Sequence, residues 1–238
     1  MGDSDAQEVE AMTTLVERHP HNGDWLREIV FGLNDGLVTT MVFIMAVGAL
    51  ALGQLVPIAL GELLAGGVSM GLGGFLAART SREILARRIA TERQEIAHEP
   101  DEERAELRAI YRDKGLRGPL LARVVAYLTA DDERWLRALV RDELGQTGAG
   151  EAPAWRQGLL VGCAFMAGAL VPIMPFLTPL TRPAWWAYGL TALVALTLGT
   201  VKSRYTQQGP LRSGLEFLAI VTVGTVAGVA IGAILHAA

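Results

Sequence analysis

Two sets of side chains in this sequence have the type and spacing to handle cations. Asp35, in Gly32-Leu33-Asn34-Asp35-Gly36, and Glu62, in Leu60-Gly61-Glu62-Leu63, stand in or at the edge of apolar stretches. A charge at the centre of a bilayer-spanning helix costs about 2.5–3.5 kcal/mol on insertion scales, so such acids face a bundle interior, a pathway or a partner. Asp35 has the alternative of a cap or a pair near the interface. Met70 follows Glu62 by eight residues, roughly 12 Å along a helix axis and turned by about 80°. Its thioether offers a soft ligand to a passing transition metal. Met41 and Met45 carry the same chemistry but read as core.

The second set is a run of carboxylates. Glu92 and Glu95 are three residues apart, and Glu103 and Glu106 repeat the interval beyond Pro100. Residues at that interval share a helix face, and a fold at the proline brings the two pairs together. Grouped carboxylates repel one another unless a base or a cation neutralises them. Two readings stay open. Arg93, Arg104 and Arg108 could neutralise the acids and leave a solvated helix pair. A divalent ion could do so instead, with His98 as a possible nitrogen donor; an oxygen-rich site of this kind suits Mn²⁺, Fe²⁺, Ca²⁺ or Mg²⁺.

The elements that must position these groups are helices. Five apolar segments, about 28–52, 56–78, 157–180, 184–201 and 214–236, each approach or exceed the roughly 20 residues of a membrane-spanning helix. The short turn Gly53-Gln54 makes the first two a hairpin. Between the second and third lies a charged block. There, 79–99 continues the second helix until Pro100 breaks it. Further helices are expected over about 101–114, 119–128 and 131–144, with Gly115 and Gly145 as stops. The fold class is thus all-α: a polytopic membrane protein with five transmembrane helices and a cytoplasmic helical domain between helices 2 and 3. Its parts are a cytoplasmic tail 1–24, transmembrane helices 1–2 over 25–78, the glutamate-rich domain 79–153 and transmembrane helices 3–5 over 154–238. Arg27, the bases of 79–156 and Lys202, Arg204 and Arg212 all fall on one side of such a bundle. By the positive-inside rule that side, with the N-terminus, is cytoplasmic. Trp25 and Trp155 would mark the inner interface, Trp185 and Trp186 the outer. Glycines at Gly61, Gly66, Gly67, Gly71, Gly73 and Gly74, and at Gly224, Gly228 and Gly232, allow close helix packing or dimerisation.

Composition narrows the function. The 238 residues are 51% hydrophobic and 19% charged, with a formal net charge of −4 and a mean hydropathy of +0.32. An acidic chain argues against nucleic acid as partner. Cys163 is the one cysteine, which excludes an intramolecular disulfide and a cysteine metal cluster. His19 and His21 lie in the polar tail and read as unspecialised. No phosphate-cradling glycine loop, His-Glu-x-x-His motif or Ser/His/Asp order is present. An enzyme is not expected, nor a cofactor.

Four stretches carry a family resemblance: Gly32-Leu33-Asn34-Asp35-Gly36-Leu37-Val38; Ala65-Gly66-Gly67-Val68-Ser69-Met70-Gly71-Leu72-Gly73-Gly74; the pair Ala109-Ile110-Tyr111-Arg112-Asp113-Lys114-Gly115-Leu116 and Arg141-Asp142-Glu143-Leu144-Gly145; and Gly168-Ala169-Leu170-Val171-Pro172. In this order, over about residues 25–236, the chain resembles the vacuolar iron transporter family. The resemblance implies five transmembrane helices, a homodimer, a helical cytoplasmic domain and proton-coupled export of Fe²⁺ or Mn²⁺. It implies that Asp35, Glu62 and Met70 form the transport path and that Glu92, Glu95, Glu103 and Glu106 bind metal, joined by Glu143. Glu28 sits where the family often has an acid. The chain departs from some members near Glu143, where Asp142 and Gln146 replace a methionine and a second glutamate. The function expected is metal/H⁺ antiport for iron and manganese homeostasis at the inner membrane, with divalent metal and the bilayer as partners. The alternative is a membrane-anchored metal buffer or sensor.

Overall fold

The computed structural model describes residues 23–48, 50–145, 152–206 and 208–237. The tail with His19 and His21 lies outside them, as does Gln146. Among the described residues every regular element is helical: α1 Gly23–Ala46, α2 Leu52–His98, α3 Pro100–Asp113, α4 Gly118–Leu128, α5 Asp132–Asp142, α6 Ala154–Ile173 with a 3-10 turn Met174–Leu177, α7 Pro183–Thr206 and α8 Pro210–Ala237. Five of them (α1, α2, α6, α7, α8) are long and apolar enough to cross a membrane. In hydrocarbon a backbone N–H or C=O has no water to bond, and a helix satisfies each within its own segment. At 1.5 Å per residue, the 47 residues of α2 extend about 70 Å, more than twice the hydrocarbon thickness. Its polar half, from Arg79, therefore lies beyond the spanning part.

The chain divides into two compact units, one of residues up to Gly71 together with those from Leu160 on, the other Leu72–Leu159. In the first, glycines set the packing. Gly32 and Gly36 of α1 meet the α6 backbone at Val161 and Phe165, and Gly168 of α6 meets Leu33 in return. Gly66 and Gly67 of α2 seat the side chains of Phe165 and Met166. Gly224, Gly228 and Gly232 lay α8 along Val38, Val42, Met45 and Ala46 of α1. That four-residue series thus packs within the chain. Gly61, and Gly73 in the second unit, differ, since among the described residues a methyl group on either meets no neighbour within 4 Å.

This contrast makes a prediction. In Gly36→Ala the new methyl falls on the Phe165 carbonyl and the Ala169 amide, and backbone cannot swing aside as a side chain does. A loss of about 1–3 kcal/mol or more is expected. Gly61→Ala is expected to be neutral or to gain about 0.5–1 kcal/mol in helix propensity. Thermal unfolding of both variants in detergent checks the pair; equal midpoints would refute the α1–α6 packing.

Element boundaries differ from expectation where a cap or a proline decides them. The turn expected at Gly53-Gln54 lies inside the first turn of α2. The Ala51 carbonyl already accepts from the Gln54 and Leu55 N–H groups at 2.9 and 3.0 Å, so the connection falls earlier, after Ala46. The third span ends as α-helix at Ile173 rather than near Leu180. Pro172 and Pro175 have no N–H to donate, and the chain tightens into the 3-10 turn. Pro183 and Pro210 start α7 and α8 ahead of the expected Ala184 and Gly214, at a position where a missing N–H costs nothing. Trp25, Trp155, Trp185 and Trp186 are all exposed.

The second unit has its own core, built from Ile96 of α2, Leu107 of α3, and Trp135, Leu136, Ala138 and Leu139 of α5, with Tyr111 and Leu128 against it. Pro100 stands at the start of α3, one residue after the break at Glu99. α3 closes with both hydrogen bonds of a glycine-terminated helix end: Gly115 N–H to Arg112 C=O at 3.0 Å and Leu116 N–H to Tyr111 C=O at 3.2 Å. Gly115 takes φ +100 there, the left-handed conformation such an end requires. The α5 N-terminus is capped by the Asp131 carboxylate, which accepts from the Arg134 N–H at 2.8 Å.

Candidate metal sites

In the first unit, α1 and α2 each bring one carboxylate inward. Thr40, one turn beyond Gly36 and fully buried, donates its hydroxyl to Glu62 Oε2 at 2.9 Å. Asp35 accepts from Thr39 at 3.4 Å and lies within electrostatic reach of Glu62. The amide oxygen of Asn34, next to Asp35, is buried with no hydrogen-bond donor. A buried carbonyl in that state has lone pairs to offer a cation. Met70 is partly buried against the cluster of Ile44, Ala59, Leu63, Phe165, Ala169 and Ile173, with Met45 and Met166 in the same layer. The two acids are therefore near each other, and Met70 belongs to the adjoining apolar layer. Thr40 was not among the residues expected here. Its sequence signal, a hydroxyl in an apolar helix, does not distinguish it from Thr39.

In the second unit the five expected glutamates come from three elements: Glu92 and Glu95 from α2, Glu103 and Glu106 from α3, and Glu143 from the end of α5. Glu92 and Glu103 are each only 7% exposed, and Glu103 Oε2 is buried without a hydrogen-bond donor. Glu95 is half-buried, Glu106 and Glu143 are exposed. Burial pushes Glu92 up to about 7, with the charges of Glu143, Glu103, Glu95 and Glu106 adding to it. Glu103 is also pushed up to about 7, by burial first and then by Glu106, Glu95, Glu143 and Glu99. Glu143, though largely exposed, is raised by partial desolvation of its carboxyl and then by Glu106 and Glu95. The five share one field. They do not yet form a closed coordination shell: among the described residues no three His, Cys, Asp or Glu side chains stand close enough to hold a metal ion.

Two of the three arginines that could have neutralised them, and the histidine, are turned elsewhere. Arg93 pairs with Glu133 at 2.9 Å. Arg104 pairs with Asp101 at 2.9 Å and stacks over Trp135. His98 directs Nδ1 to the Gln94 carbonyl of its own helix at 2.8 Å. Among the described residues none of the five glutamates forms an ion pair. A cleft of about 530 Å³ reaches two of them, lined by Glu92 and Glu143 with Ile84, Arg87, Arg88, Thr91 and Leu144. Asp142, next to Glu143, stands apart from the cluster. Hydrogen bonds from Arg141, Lys114 and Tyr111 hold it well below the usual carboxylate range.

The comparisons with known proteins agree over almost the whole chain. Residues 26–233 match the VIT family. Vacuolar iron transporter 1 of Oryza sativa subsp. japonica is 34% identical over 206 residues, which cover 84% of this chain and 81% of that protein. Vacuolar iron transporter 1 of Arabidopsis thaliana is 33% identical over 229 residues, 92% of this chain and 91% of its own length. The vacuolar iron transporter of Plasmodium falciparum is 26% identical over 225 residues.

Proposed function

The chain belongs to the VIT family, and we propose that it exports divalent iron, with manganese as a second substrate, from the cytoplasm in exchange for protons. The observation that carries this reading is the set of five glutamates from three elements, none of them in an ion pair among the described residues, two of which are buried and raised to about 7. Carboxylates left in that state are held for a cation that comes and goes. In this reading the glutamates collect metal from the cytoplasm and pass it to the membrane path of Asp35, Glu62 and Met70. Metal and proton compete for the same buried carboxylates, so an inward proton gradient drives metal outward.

The bases support a bundle with the N-terminus and the glutamate domain on the cytoplasmic face of the inner membrane. A homodimer is part of the proposal. Gly61, Ala65, Ser69 and Gly73 leave an exposed stripe of small residues at four-residue spacing on α2, of the kind that lets a second helix approach. The chain acts as a transporter, not an enzyme, and its metal is cargo.

Metal uptake into proteoliposomes tests the proposal, with Fe²⁺ kept reduced, or Mn²⁺, outside and a pH gradient imposed across the bilayer. Flux that rises with the gradient is expected. Metal binding without flux, in vesicles where an established transporter works, would overturn transport and leave a membrane-anchored buffer or sensor.

A further inference from the structure

Glu143 is the one member of the glutamate cluster that lies outside a helix. It is the C-cap of α5, at φ −98 and ψ −54, with its N–H bonded to the Leu139 carbonyl at 2.8 Å. The last turn of a helix leaves its carbonyls unpaired and frays readily. Something must therefore fix where Glu143 points. The residue before it is tied down on every side. Asp142 Oδ1 accepts from Lys114 Nζ at 2.6 Å and from Arg141 Nε at 2.9 Å. Oδ2 accepts from the Tyr111 hydroxyl at 2.7 Å and from an Arg141 terminal nitrogen at 3.0 Å. The same arginine nitrogen donates to the Tyr111 oxygen at 3.0 Å. The Asp142 carboxylate is 7% exposed and has four donors on two oxygens.

Tyr111 and Lys114 belong to the glycine-closed end of α3, the helix that carries Glu103 and Glu106. Lys114 Nζ also lies 4.8 Å from the centre of the Tyr111 ring, and that ring packs on the core of the unit. The knot therefore joins the C-terminal ends of α3 and α5, one residue from Glu143. We propose that Asp142 is a positioning residue for metal capture: by locking the end of α5 to α3 through Tyr111 and Lys114, it holds Glu143 at the carboxylate cluster. The inference rests on the reading of that cluster as a metal site. Asp142 itself, with both oxygens engaged by donors, is not a ligand.

Mn²⁺ binding to the purified full-length protein tests this, read from the loss of the free-ion electron paramagnetic resonance signal. Outer partners that orient metal ligands are worth about 10–100-fold in affinity. Asp142→Ala is expected to weaken binding by that order, as Glu143→Gln does. Tyr111→Phe, which keeps the ring in the core, is expected to weaken it several-fold. Asp142→Ala placed on Glu143→Gln is expected to add nothing, because its effect passes through Glu143. Effects that multiply in the double variant would mean general loosening and overturn the proposal. So would wild-type affinity in a folded Tyr111→Phe, which serves if Asp142→Ala does not fold. A wild-type chain that binds Mn²⁺ no better than a variant with all five glutamates changed to Gln would instead remove the metal-site reading beneath it. Wild-type affinity in Glu143→Gln would remove Glu143 as a ligand, and Asp142's role with it.

Discussion

Glu62→Gln is expected to abolish proton-driven metal flux while leaving the helix bundle intact. The substitution keeps the shape of the side chain and an oxygen to accept the Thr40 hydroxyl, which bonds Glu62 Oε2 at 2.9 Å in the native chain. Thr40 is fully buried, and an unmatched hydroxyl there would cost about 1–3 kcal/mol; glutamine avoids that loss. What glutamine lacks is a charge and a proton to release. A hydrogen bond or ligand contact to a charged group is worth about 1.5–3 kcal/mol, so metal affinity in the path should fall about 10–100-fold. Coupling should fall further, because a side chain that cannot titrate cannot exchange metal for H⁺. Glu62→Asp, which retains a titratable group on a shorter stem, should keep a pH-dependent flux at reduced rate. The measurement is Mn²⁺ uptake into proteoliposomes with and without a pH gradient, beside the unfolding temperature of each variant in detergent. Normal gradient-driven flux in Glu62→Gln would move the coupling role away from this residue. Asp35, within electrostatic reach of it, would then be the next acid to replace.

Much of the architecture was legible because its determinants are local. Five apolar runs, Pro100 after a long polar helix and Gly115 after Tyr111-Arg112-Asp113-Lys114 each act within a turn or two of themselves, and each produced the expected element. The misplacement of the α1–α2 turn has the same local character. Gly53 signals a break by its type, but the Ala51 carbonyl had already begun the helix. Partners were far less legible. Spacing put Arg93 and Arg104 beside the glutamates, whereas Arg93 reaches Glu133 across forty residues of sequence and Arg104 lies over Trp135. Thr40 and Glu62 are twenty-two residues apart on different helices. Asp142 stood in the sequence within a stretch of family likeness and as a departure beside Glu143, and its three donor residues come from two helix ends thirty residues apart. Such pairings are set by the packing of helices, and helix periodicity holds no record of them.

The glutamate cluster should bind metal with a strong dependence on pH, and its sign follows from the raised carboxylates. Glu92 and Glu103 titrate near 7 in the folded chain instead of at the ordinary 4.5. Below 7 they hold protons that a metal ion must displace. Each displaced proton weakens binding about tenfold per pH unit, so two give about a hundredfold loss per unit as pH falls from 7 towards 5.5. Above 7 the affinity should level off. The same shift acts on stability in the opposite sense. In the metal-free chain these two groups bind more protons in the folded state than in the unfolded one between 4.5 and 7, so their contribution to stability is fully present below 4.5 and is lost as pH rises through 7. One such group is worth on the order of 3 kcal/mol. Asp142 adds no pH dependence in this window: its shift is downward, so its contribution is fully present there and is lost only at lower pH. Glu103→Gln should therefore stabilise the metal-free protein at pH 7.5 and weaken its binding of Mn²⁺. A residue kept for packing alone would show no such exchange. Calorimetric titration of the full-length protein with Mn²⁺ at pH 5.5, 6.5 and 7.5, in buffers of different ionisation enthalpy, counts the protons released. An affinity that stays level across that range would remove Glu92 and Glu103 from the site. A fall with about two protons released near pH 6 would tie metal capture to the local proton concentration, since metal would then be collected tightly at pH 7.5 and shed on acidification.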